Sequence, residues 1–349
     1  MTTMTEWTTN ASLADIASWI RAGTRVAVLT HAKADGDALG ATQSVARALA
    51  ASGLEVRAVY AGPFPDRFRE LVDWELSVVL DEGDEASQLS DEWYSGVDRV
   101  IVLDTGSWAQ LAEVRSFVEP RATMAALVDH HASGDPDVAG MRHIDTSAAS
   151  AAELAGELCC GIFGVESMSE LPVEIATVIY LGMATDTGWF KHPSTTSRTM
   201  RTAASLHDAG VDANALRRLI EQSDTVSRLW LMQRAMSSLR LHCGDRVSVM
   251  SLTTGDFAKT DATPDDAGGL IDLPMSVERV LVSVLLTDRG DGVVKVSMRS
   301  KAGSTIVDVN NVAGGLGGGG HVHAAGAKVS GVIDAVEMQV VEAIAEQLP

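Results

Sequence analysis

The sequence predicts an α/β protein of two lobes: a larger lobe with a mainly parallel sheet, and a smaller α/β lobe reached through a helical connector. Apolar, β-branched runs alternate with helical patterns along the first half of the chain, as is typical of a parallel sheet covered by helices. A polar, helix-patterned segment then separates this half from a second block of strand-like runs. We therefore expect two domains, each with its own core.

Length and composition are those of a globular protein. The chain has 349 residues, of which 46% are hydrophobic and 21% charged, and this length suffices for two cores. No apolar run approaches the ~18 residues of a membrane span, and the first ten residues lack the features of a signal peptide. We therefore expect a cytoplasmic protein. Its three cysteines form no disulfide framework and are expected to be buried thiols.

The strongly negative charge restricts the partners. Acidic residues number 47 against 27 basic ones, which gives a net charge of −20. A protein that holds long nucleic acid usually presents a basic face, so we expect no long nucleic-acid tract and at most local contact with a nucleic acid. Carboxylates clustered around a metal ion would account for part of the negative charge.

One stretch, residues 26–40, organises the prediction of a site. An apolar strand at 26–29 ends in a loop that carries His31, Asp35 and Asp37, and an Ala-rich helix follows. Ligands of open α/β sheets bind beyond the carboxyl ends of the strands. An imidazole and two carboxylates are costly to gather unless a cation joins them. The pattern favours a metal-binding loop over its ordinary alternative, a solvated acidic turn.

The other elements of the first lobe follow from the same two periodicities. Apolar, β-branched runs predict strands, and apolar positions three to four residues apart predict helices. In order, we predict a helix at 13–22 capped near Ser12, the Ala-rich helix to about 53, a strand at 55–60, a short helix or turn at 68–74, an acidic surface segment at 81–92, strands at 97–103 and 123–128, and a helical segment at 173–185.

Three further apolar runs of this lobe also end on ligand-type residues. Asp104 follows one predicted strand, and Asp186 follows the helical run. Asp129, His130 and His131 follow another strand. A single Asp after a strand more often caps a helix, and a His pair is more often structural. Because the pattern occurs four times in one lobe, it favours a shared metal site.

The residue types indicate the kind of metal. Carboxylates and imidazoles without a thiolate suit Mn²⁺ or Mg²⁺, with Fe²⁺, Co²⁺ and Zn²⁺ open by affinity order. They are not the ligand set of a structural zinc site. So many ligands exceed the needs of one ion but suit two, about 3.5–4 Å apart, which share a carboxylate and activate a water for displacement at phosphorus.

The second half of the chain is expected to form the connector and the smaller lobe. A polar helical pattern predicts the connector, and alternating or continuous apolar runs predict strands and a closing helix. We predict the connector at 197–241, strands at 246–252, 280–286 and 293–299, and a helix at 334–348. The domain limits are then 12–196 for the metal-site domain, 197–241 for the connector and 242–349 for the second domain.

A run of glycines from Gly314 ends at His321. Repeated glycine usually marks a flexible linker. This run lies between predicted strands and a helix and contains a Leu, which is a poor linker pattern. Backbone amides of a glycine loop can form an anion-binding nest, and Arg299 after a predicted strand offers a bidentate phosphate contact. We therefore predict phosphate or nucleotide binding by Arg299, Gly318, Gly319, Gly320 and His321.

Five motifs stand out in the chain: HAKADGDALG from His31, LDTGS from Leu103, VDHHASG from Val128, YLGMATDTGWF from Tyr180 and GGLGGGGHVHAAGA from Gly314. On these motifs the sequence resembles the DHH/DHHA1 phosphoesterases, which include RecJ-type exonucleases, family II inorganic pyrophosphatases and nanoRNases. The resemblance covers nearly the whole chain, and its length and DTGWF segment favour the nanoRNase branch. One departure is Ala34, where the family usually has Pro, so we expect a slightly looser first loop.

The resemblance implies two metal sites that share Asp104 as a bridge. It also implies that His131 lies beside the substrate phosphate, as donor or proton partner, and that Asp129 orients an imidazole. The implied ligands are His31, Asp35 and Asp104 for one ion, and Asp37, Asp104, His130 and Asp186 for the other.

The resemblance further implies an enzyme that depends on two divalent ions, with Mn²⁺ favoured and Mg²⁺ or Co²⁺ as alternatives. Its expected reaction is hydrolysis of very short RNA such as pApA, with removal of the 3′-phosphate of pAp as a second activity. One alternative is a cyclic- or linear-dinucleotide phosphodiesterase. An alternative of another class is a non-catalytic nucleotide-binding regulator. The expected partners are short RNA or nucleotides, and a homodimer is left open.

Overall fold

A computed structural model describes residues 6–348 except 82, 223, 289, 302 and 304–306. The chain forms two compact units, one ending at Ser223 and the other beginning at Asp224. In the described part of the chain, no helix has both the length and the apolar character that a membrane span needs.

The first unit is built on a parallel sheet. Among its described residues, six strands pair in the order β3-β2-β1-β4-β5-β6, all parallel. The strand order reverses between β1 and β4, and such a switch point opens a crevice at the carboxyl ends of the two strands. This sheet confirms the predicted parallel architecture. The strands are β1 Arg25–Leu29, β2 Glu55–Tyr60, β3 Ser77–Val79, β4 Arg99–Leu103, β5 Ala125–Asp129 and β6 Met141–Ile144.

Helices cover both faces of this sheet. Alternate residues of β1 enter two hydrophobic cores, Val26 and Val28 on one face and Ala27 and Leu29 on the other. This is why a buried parallel strand is apolar at every position. The helices of the unit are α1 Leu13–Arg21, α2 Gly36–Ala51, α3 Glu85–Gln88, α4 Glu92–Ser95, α5 Arg115–Val118, α6 Ala151–Phe163, α7 Val173–Asp186, α8 Ser197–Asp208 and α9 Ala213–Glu221.

Three helices of this unit, α2, α6 and α7, pack against one another. A Cβ at Gly40 of α2 would lie 2.5 Å from the carbonyl oxygen of Val178 in α7, so glycine is needed for this close approach. Cys159 of α6 is fully buried, as predicted, whereas Cys160 and Cys243 are half-buried.

The second unit contains a mixed sheet. Within its described residues, the strand order is β11-β12-β10-β9-β8-β7, with β8 and β9 parallel and the other pairs antiparallel. The strands are β7 Arg240–His242, β8 Val247–Leu252, β9 Val282–Asp288, β10 Val293–Ser300, β11 Gly319–His321 and β12 Ala324–Ser330. The helices are α10 Val226–Ser237, α11 Thr254–Thr260, α12 Val309–Gly315 and α13 Ile333–Ala345.

The predicted connector is helical, as expected, and consists of α8, α9 and α10. The two compact units divide within it, after Ser223. Helices α8 and α9 pack on α7 of the first unit, whereas α10 packs on β8 and α11 of the second. The domain limits at 196 and 241 stay a prediction.

The glycine run is not the loop that its composition predicts. Its first glycines end α12, and Gly319–His321 form the edge strand β11. The amides of Gly317 and Gly318 donate to backbone carbonyls of α12, so they are not open to an anion. Glycine is required here for close strand packing, because a Cβ at Gly320 would lie 2.5 Å from the carbonyl oxygen of Ala324.

Candidate metal centre

The loop after β1 presents His31 and Asp35. His31 Nδ1 lies 3.0 Å from the carbonyl oxygen of Ala32, which leaves Nε2 facing Asp104 Oδ2 at 3.4 Å. Asp35 caps α2, since its Oδ1 accepts from the amides of Asp37 and Ala38, each at 3.0 Å. Its side chain is 57% exposed, and Oδ1 lies 4.0 Å from His31 Nε2. Asp35 is therefore both a helix cap and a candidate ligand.

Asp37 lies in the first turn of α2 and is only 2% exposed. Its two oxygens accept hydrogen bonds from Ala151 N at 2.7 Å and Ala152 N at 2.8 Å. These are the first amides of α6, whose amino end carries partial positive charge. Burial and the nearby carboxylates of Asp104 and Asp186 raise the pKa of Asp37 well above its usual value. The amino end of α6 thus stabilises the ionised form of Asp37, which the carboxylates of Asp104 and Asp186 destabilise.

Asp104 follows β4 with a backbone φ of 64° and is 3% exposed. Its two oxygens face different histidines: Oδ2 lies 3.4 Å from His31 Nε2, and Oδ1 lies 3.5 Å from His130 Nε2. Burial opposes its ionisation, but these imidazoles hold the pKa of Asp104 below its usual value. In return, Asp104 raises the pKa of His31 to about 9 against the effect of burial. A carboxylate with this geometry can bridge two cations.

The end of β5 carries Asp129, His130 and His131. Asp129 is fully buried, and its Oδ1 accepts from His130 N at 2.7 Å and His131 Nδ1 at 2.7 Å. The hydrogen bond to Asp129 raises the pKa of His131. His131 is 51% exposed, and the bond from Nδ1 leaves its Nε2 free to meet a substrate group. His130 Nε2 instead points inward, 3.7 Å from Asp37 Oδ2.

Asp186 is the last residue of α7, so it reaches the site from a helix end and not from a strand end. Its Oδ2 lies 3.9 Å from His130 Nε2, and its side chain is 35% exposed. Burial raises the pKa of Asp186, and Asp104 adds to this against the attraction of His130. His192 Nδ1 lies 3.1 Å from the Asp186 carbonyl oxygen, which fixes the loop that follows the helix.

The donor set fits divalent metal ions. Within the described part of the chain, Asp104 Oδ1 is buried without a hydrogen-bond partner. Asp37, Asp104 and Asp186 also crowd one another, and a cation relieves both kinds of strain. Ligand atoms within 4.8 Å of one another occur, among the described residues, in the groups His31–Asp35–Asp104, Asp37–His130–Asp186 and Asp104–His130–His131.

The structure brings all eight metal-site and catalytic candidates together at this one site. The groups that support Asp37 were not predicted from the sequence. The amides of Ala151 and Ala152 that hold Asp37 come from an unpredicted helix start. Its signal in the sequence is Ser150 followed three residues later by Glu153. Ser150 Oγ accepts from Glu153 N at 3.1 Å, and Glu153 Oε2 accepts from Ala149 N at 3.0 Å.

The substrate candidates lie in the second unit. A cavity of about 450 Å³ there is lined by Arg299 and Gly319, whereas Gly318, Gly320 and His321 are not among its lining residues. Arg299 is 43% exposed, and its Nε lies 3.9 Å from Asp272 Oδ1. Lys295 and Ser297 also line the cavity. Their signal in the sequence is the two-residue period of a strand, which places them on the same face as Arg299.

A carboxylate–imidazole cluster at the switch point of a parallel α/β sheet is the kind of site that can hold two divalent ions for displacement at phosphorus, as in metal-dependent phosphoesterases. The model of the DHH family, N-terminal domain, matches residues 25–183, and that of the DHHA1 domain matches residues 244–348. The chain therefore belongs to the DHH family and carries a DHHA1 domain.

Relatives and solved structures agree with this assignment. The chain is 33% identical over 327 residues to the bifunctional oligoribonuclease and PAP phosphatase NrnA of Thermus thermophilus. The matched region covers 92% of this chain and 89% of the relative. An exopolyphosphatase-related protein from Bacteroides fragilis has a similar structure, with a TM-score of 0.86, 23% identity and coverage of 96% and 95%. The exonuclease RecJ, solved bound to manganese, has a TM-score of 0.57, 18% identity and coverage of 97% and 95%. These two structures share the fold.

Proposed function

We propose that this protein hydrolyses very short oligoribonucleotides and also removes the 3′-phosphate of pAp. The observation that carries the proposal is the cluster around Asp104, whose two oxygens face two different histidines. The 33% identity to a bifunctional oligoribonuclease and PAP phosphatase over 92% of this chain supports the choice of substrate.

Two divalent ions would be held by two sets of ligands that share Asp104. Mn²⁺ is the proposed metal, with Mg²⁺ or Co²⁺ as alternatives, because the donors are carboxylate oxygens and imidazole nitrogens. When bound, such ions polarise phosphoryl oxygens and lower the pKa of a coordinated water. One ion would take the group His31, Asp35 and Asp104. The other would take the group Asp37, His130 and Asp186 together with Asp104, whose Oδ1 lies 3.5 Å from His130 Nε2.

His131 is the proposed partner of the reacting phosphate. Its Nδ1–H donates to Asp129, which fixes the ring orientation and directs Nε2 away from the buried carboxylate. A raised pKa allows Nε2 to donate to a phosphoryl oxygen or to the leaving oxygen. Asp129 is buried beneath it and also accepts from two backbone amides, so its role is to hold the imidazole.

The cavity of the second unit is the proposed nucleotide site. Arg299 and Lys295 supply positive charge, and Ser297 supplies a hydroxyl group. A guanidinium can hold a phosphate through two parallel hydrogen bonds, and about 450 Å³ is the size of a small-molecule site. The exposed edge strand β11 with Gly320 and His321 is proposed to contact the same substrate, and so is Gly318 just before it, but not through its amide, which donates to the Ala313 carbonyl oxygen. The homodimer and the cytoplasmic location stay predictions.

A substrate panel tests the proposal. We would measure kcat/KM with Mn²⁺ for pApA, pAp, a cyclic dinucleotide and pyrophosphate, with chelated protein as the control. The account predicts the highest value for pApA and measurable release of phosphate from pAp. A preference for the cyclic dinucleotide would favour a second-messenger phosphodiesterase. Binding of pApA without turnover would favour a non-catalytic regulator.

A further inference from the structure

Near the start of the described chain, residues 7–11 lie along the edge strand β6; we name this segment the N-terminal strap. Asn10 N donates to the Arg142 carbonyl oxygen at 2.9 Å, and Arg142 N donates to Asn10 Oδ1 at 2.6 Å. Thr9 and Ile144 exchange two further bonds, at 2.7 and 2.8 Å. These bonds hold the strap at a fixed position on the first unit.

Trp7, at the start of the strap, reaches the loops that follow β4 and β5. Its indole Nε1 donates to the backbone oxygen of His131 at 3.0 Å. A Cβ at Gly134 would lie 2.5 Å from the indole ring, and one at Gly106 would overlap it. Neither glycine has a positive φ, so the closeness of Trp7 explains these two glycines better than backbone conformation does.

The two loops that Trp7 contacts carry residues of the metal centre. Gly106 lies two residues after Asp104, and Gly134 three residues after His131. The loops also bond to each other, since Asp135 N donates to the Gly106 carbonyl oxygen at 2.7 Å. Trp7 therefore covers the place where the two loops meet.

We propose that Trp7 is a positioning residue: it clamps the two loops and thereby fixes Asp104, His130 and His131 relative to one another. The inference rests on the proposed function for its catalytic readout. Misplacement of a catalytic group by about 1 Å can cost on the order of 10²-fold in rate, and groups that orient metal ligands commonly change metal affinity by about 10–100-fold. A half-buried Trp that donates to the His131 backbone acts on both quantities.

The test is a double-mutant cycle of Trp7→Ala and Gly134→Ala, with Trp7→Phe as the conservative variant and Gly255→Ala as the matched control. Gly255 lies in α11, where a Cβ would make an ordinary contact, 3.6 Å from Thr253 Oγ1. For each protein we would measure the Mn²⁺ dissociation constant by calorimetry, and kcat and KM for pApA at saturating Mn²⁺.

The clamp predicts that Trp7→Ala raises the Mn²⁺ dissociation constant and lowers kcat, each by about tenfold or more. KM should change less than about threefold, because the groups proposed to hold the substrate are untouched. Gly134→Ala should have a similar effect, since its methyl group displaces the indole. The double variant should be no worse than Trp7→Ala alone, and Trp7→Phe should fall between, because it retains part of the ring but loses the N–H donor.

Three outcomes would overturn the clamp: wild-type Mn²⁺ affinity and kcat in Trp7→Ala, effects of the two substitutions that simply add, or an equal effect of Gly255→Ala. Unaltered protein that binds Mn²⁺ but hydrolyses no pApA would contradict the proposed function alone, since the Mn²⁺ affinities still test the clamp. Unaltered protein that binds no Mn²⁺ would overturn both.

Discussion

The carboxylate of Asp104 faces one imidazole with each oxygen, at 3.4 and 3.5 Å. It lies at the switch point of the sheet, so the loops after β1, β4 and β5 all reach it. At the residue scale, the sequence predicted well that the ligand-type residues of these loops lie together, because the carboxyl ends of parallel strands must lie at one edge of the sheet. It did not predict Trp7 or the amides of α6, because those contacts join residues about a hundred or more positions apart and leave no periodic pattern.

Replacement of Asp104 tests the bridging role. Asn is well tolerated at a positive φ, so Asp104→Asn at φ 64° removes charge without new backbone strain. We expect it to lower kcat by at least ~10²-fold, and by more than Asp35→Asn does, because Asp104 serves both ligand groups. Steady-state rates on pApA for the two variants check this. A near-normal rate for Asp104→Asn together with an inactive Asp35→Asn would mean that Asp104 is not the bridging residue.

His131 is predicted to act on the substrate and not on the metal. His131→Ala should lower kcat by ~10²-fold or more through loss of a donor or proton partner, while bound Mn²⁺ stays at the level of the unaltered protein. Elemental analysis alongside kinetics checks both parts, with the exposed His207→Ala as control. Loss of one metal ion per chain from His131→Ala would make His131 a ligand.

At the scale of elements, the strongly apolar or strongly periodic segments were predicted closely; β2 has the predicted bounds 55–60. Both edge strands of the first sheet were missed, and so were β7 and β12 of the second. Strand β3 has only three residues, and β6 contains Arg142 and His143, so neither has the apolar run of a central strand. The glycine run was wrong as a loop, because Gly319–His321 pair with β12. Close packing excludes a Cβ at Gly318 and Gly320, and Gly317 and Gly320 have positive φ.

Helix α6 offers a test of how an element supports the site. Ser150→Ala removes its N-cap and leaves a buried amide unpaired, which should lower the free energy of unfolding by about 1 kcal/mol. Because the amides of Ala151 and Ala152, between Ser150 and the capped amide of Glu153, hold Asp37, we also expect weaker Mn²⁺ binding, by about tenfold. Ser12→Ala removes the N-cap of α1 and is the matched control.

Urea unfolding and Mn²⁺ titration of these two variants measure the stability and metal affinity separately. The account predicts a loss of stability in both, larger in Ser150→Ala because its cap is buried and Ser12 is exposed, but weaker Mn²⁺ binding in Ser150→Ala alone. Equal Mn²⁺ affinity in the two variants would mean that α6 holds Asp37 without help from its cap.

At the scale of the whole molecule, charge restricts the substrate. The chain carries a net charge of −20, and the cationic groups proposed to hold phosphate, Lys295 and Arg299, are local to one cavity.

Two domains were predictable because two blocks of strands flank a polar helical segment. The division after Ser223 was not, because the helices on each side of it have similar polar patterns and differ only in what they pack against.

Substrate length follows from this charge distribution. We expect kcat/KM for a two-nucleotide RNA to exceed that for a ~24-nucleotide strand by at least tenfold. Binding should depend weakly on salt, because Lys295 and Arg299 can neutralise only a few phosphates. Each neutralised phosphate contributes about −0.7 to the slope of log affinity against log salt for single strands. Rates at two salt concentrations check both expectations. Equal rates on both lengths, or a steep salt slope, would indicate a processive nuclease.

The central claim is that two divalent ions held around Asp104 carry out phosphoester hydrolysis. The most direct measurement removes all metal by chelation, titrates Mn²⁺ back, and follows bound ions per chain together with pApA turnover. The account predicts no turnover without metal, and recovery that follows the filling of two sites per chain in unaltered protein. Full turnover by the exhaustively chelated protein would contradict it.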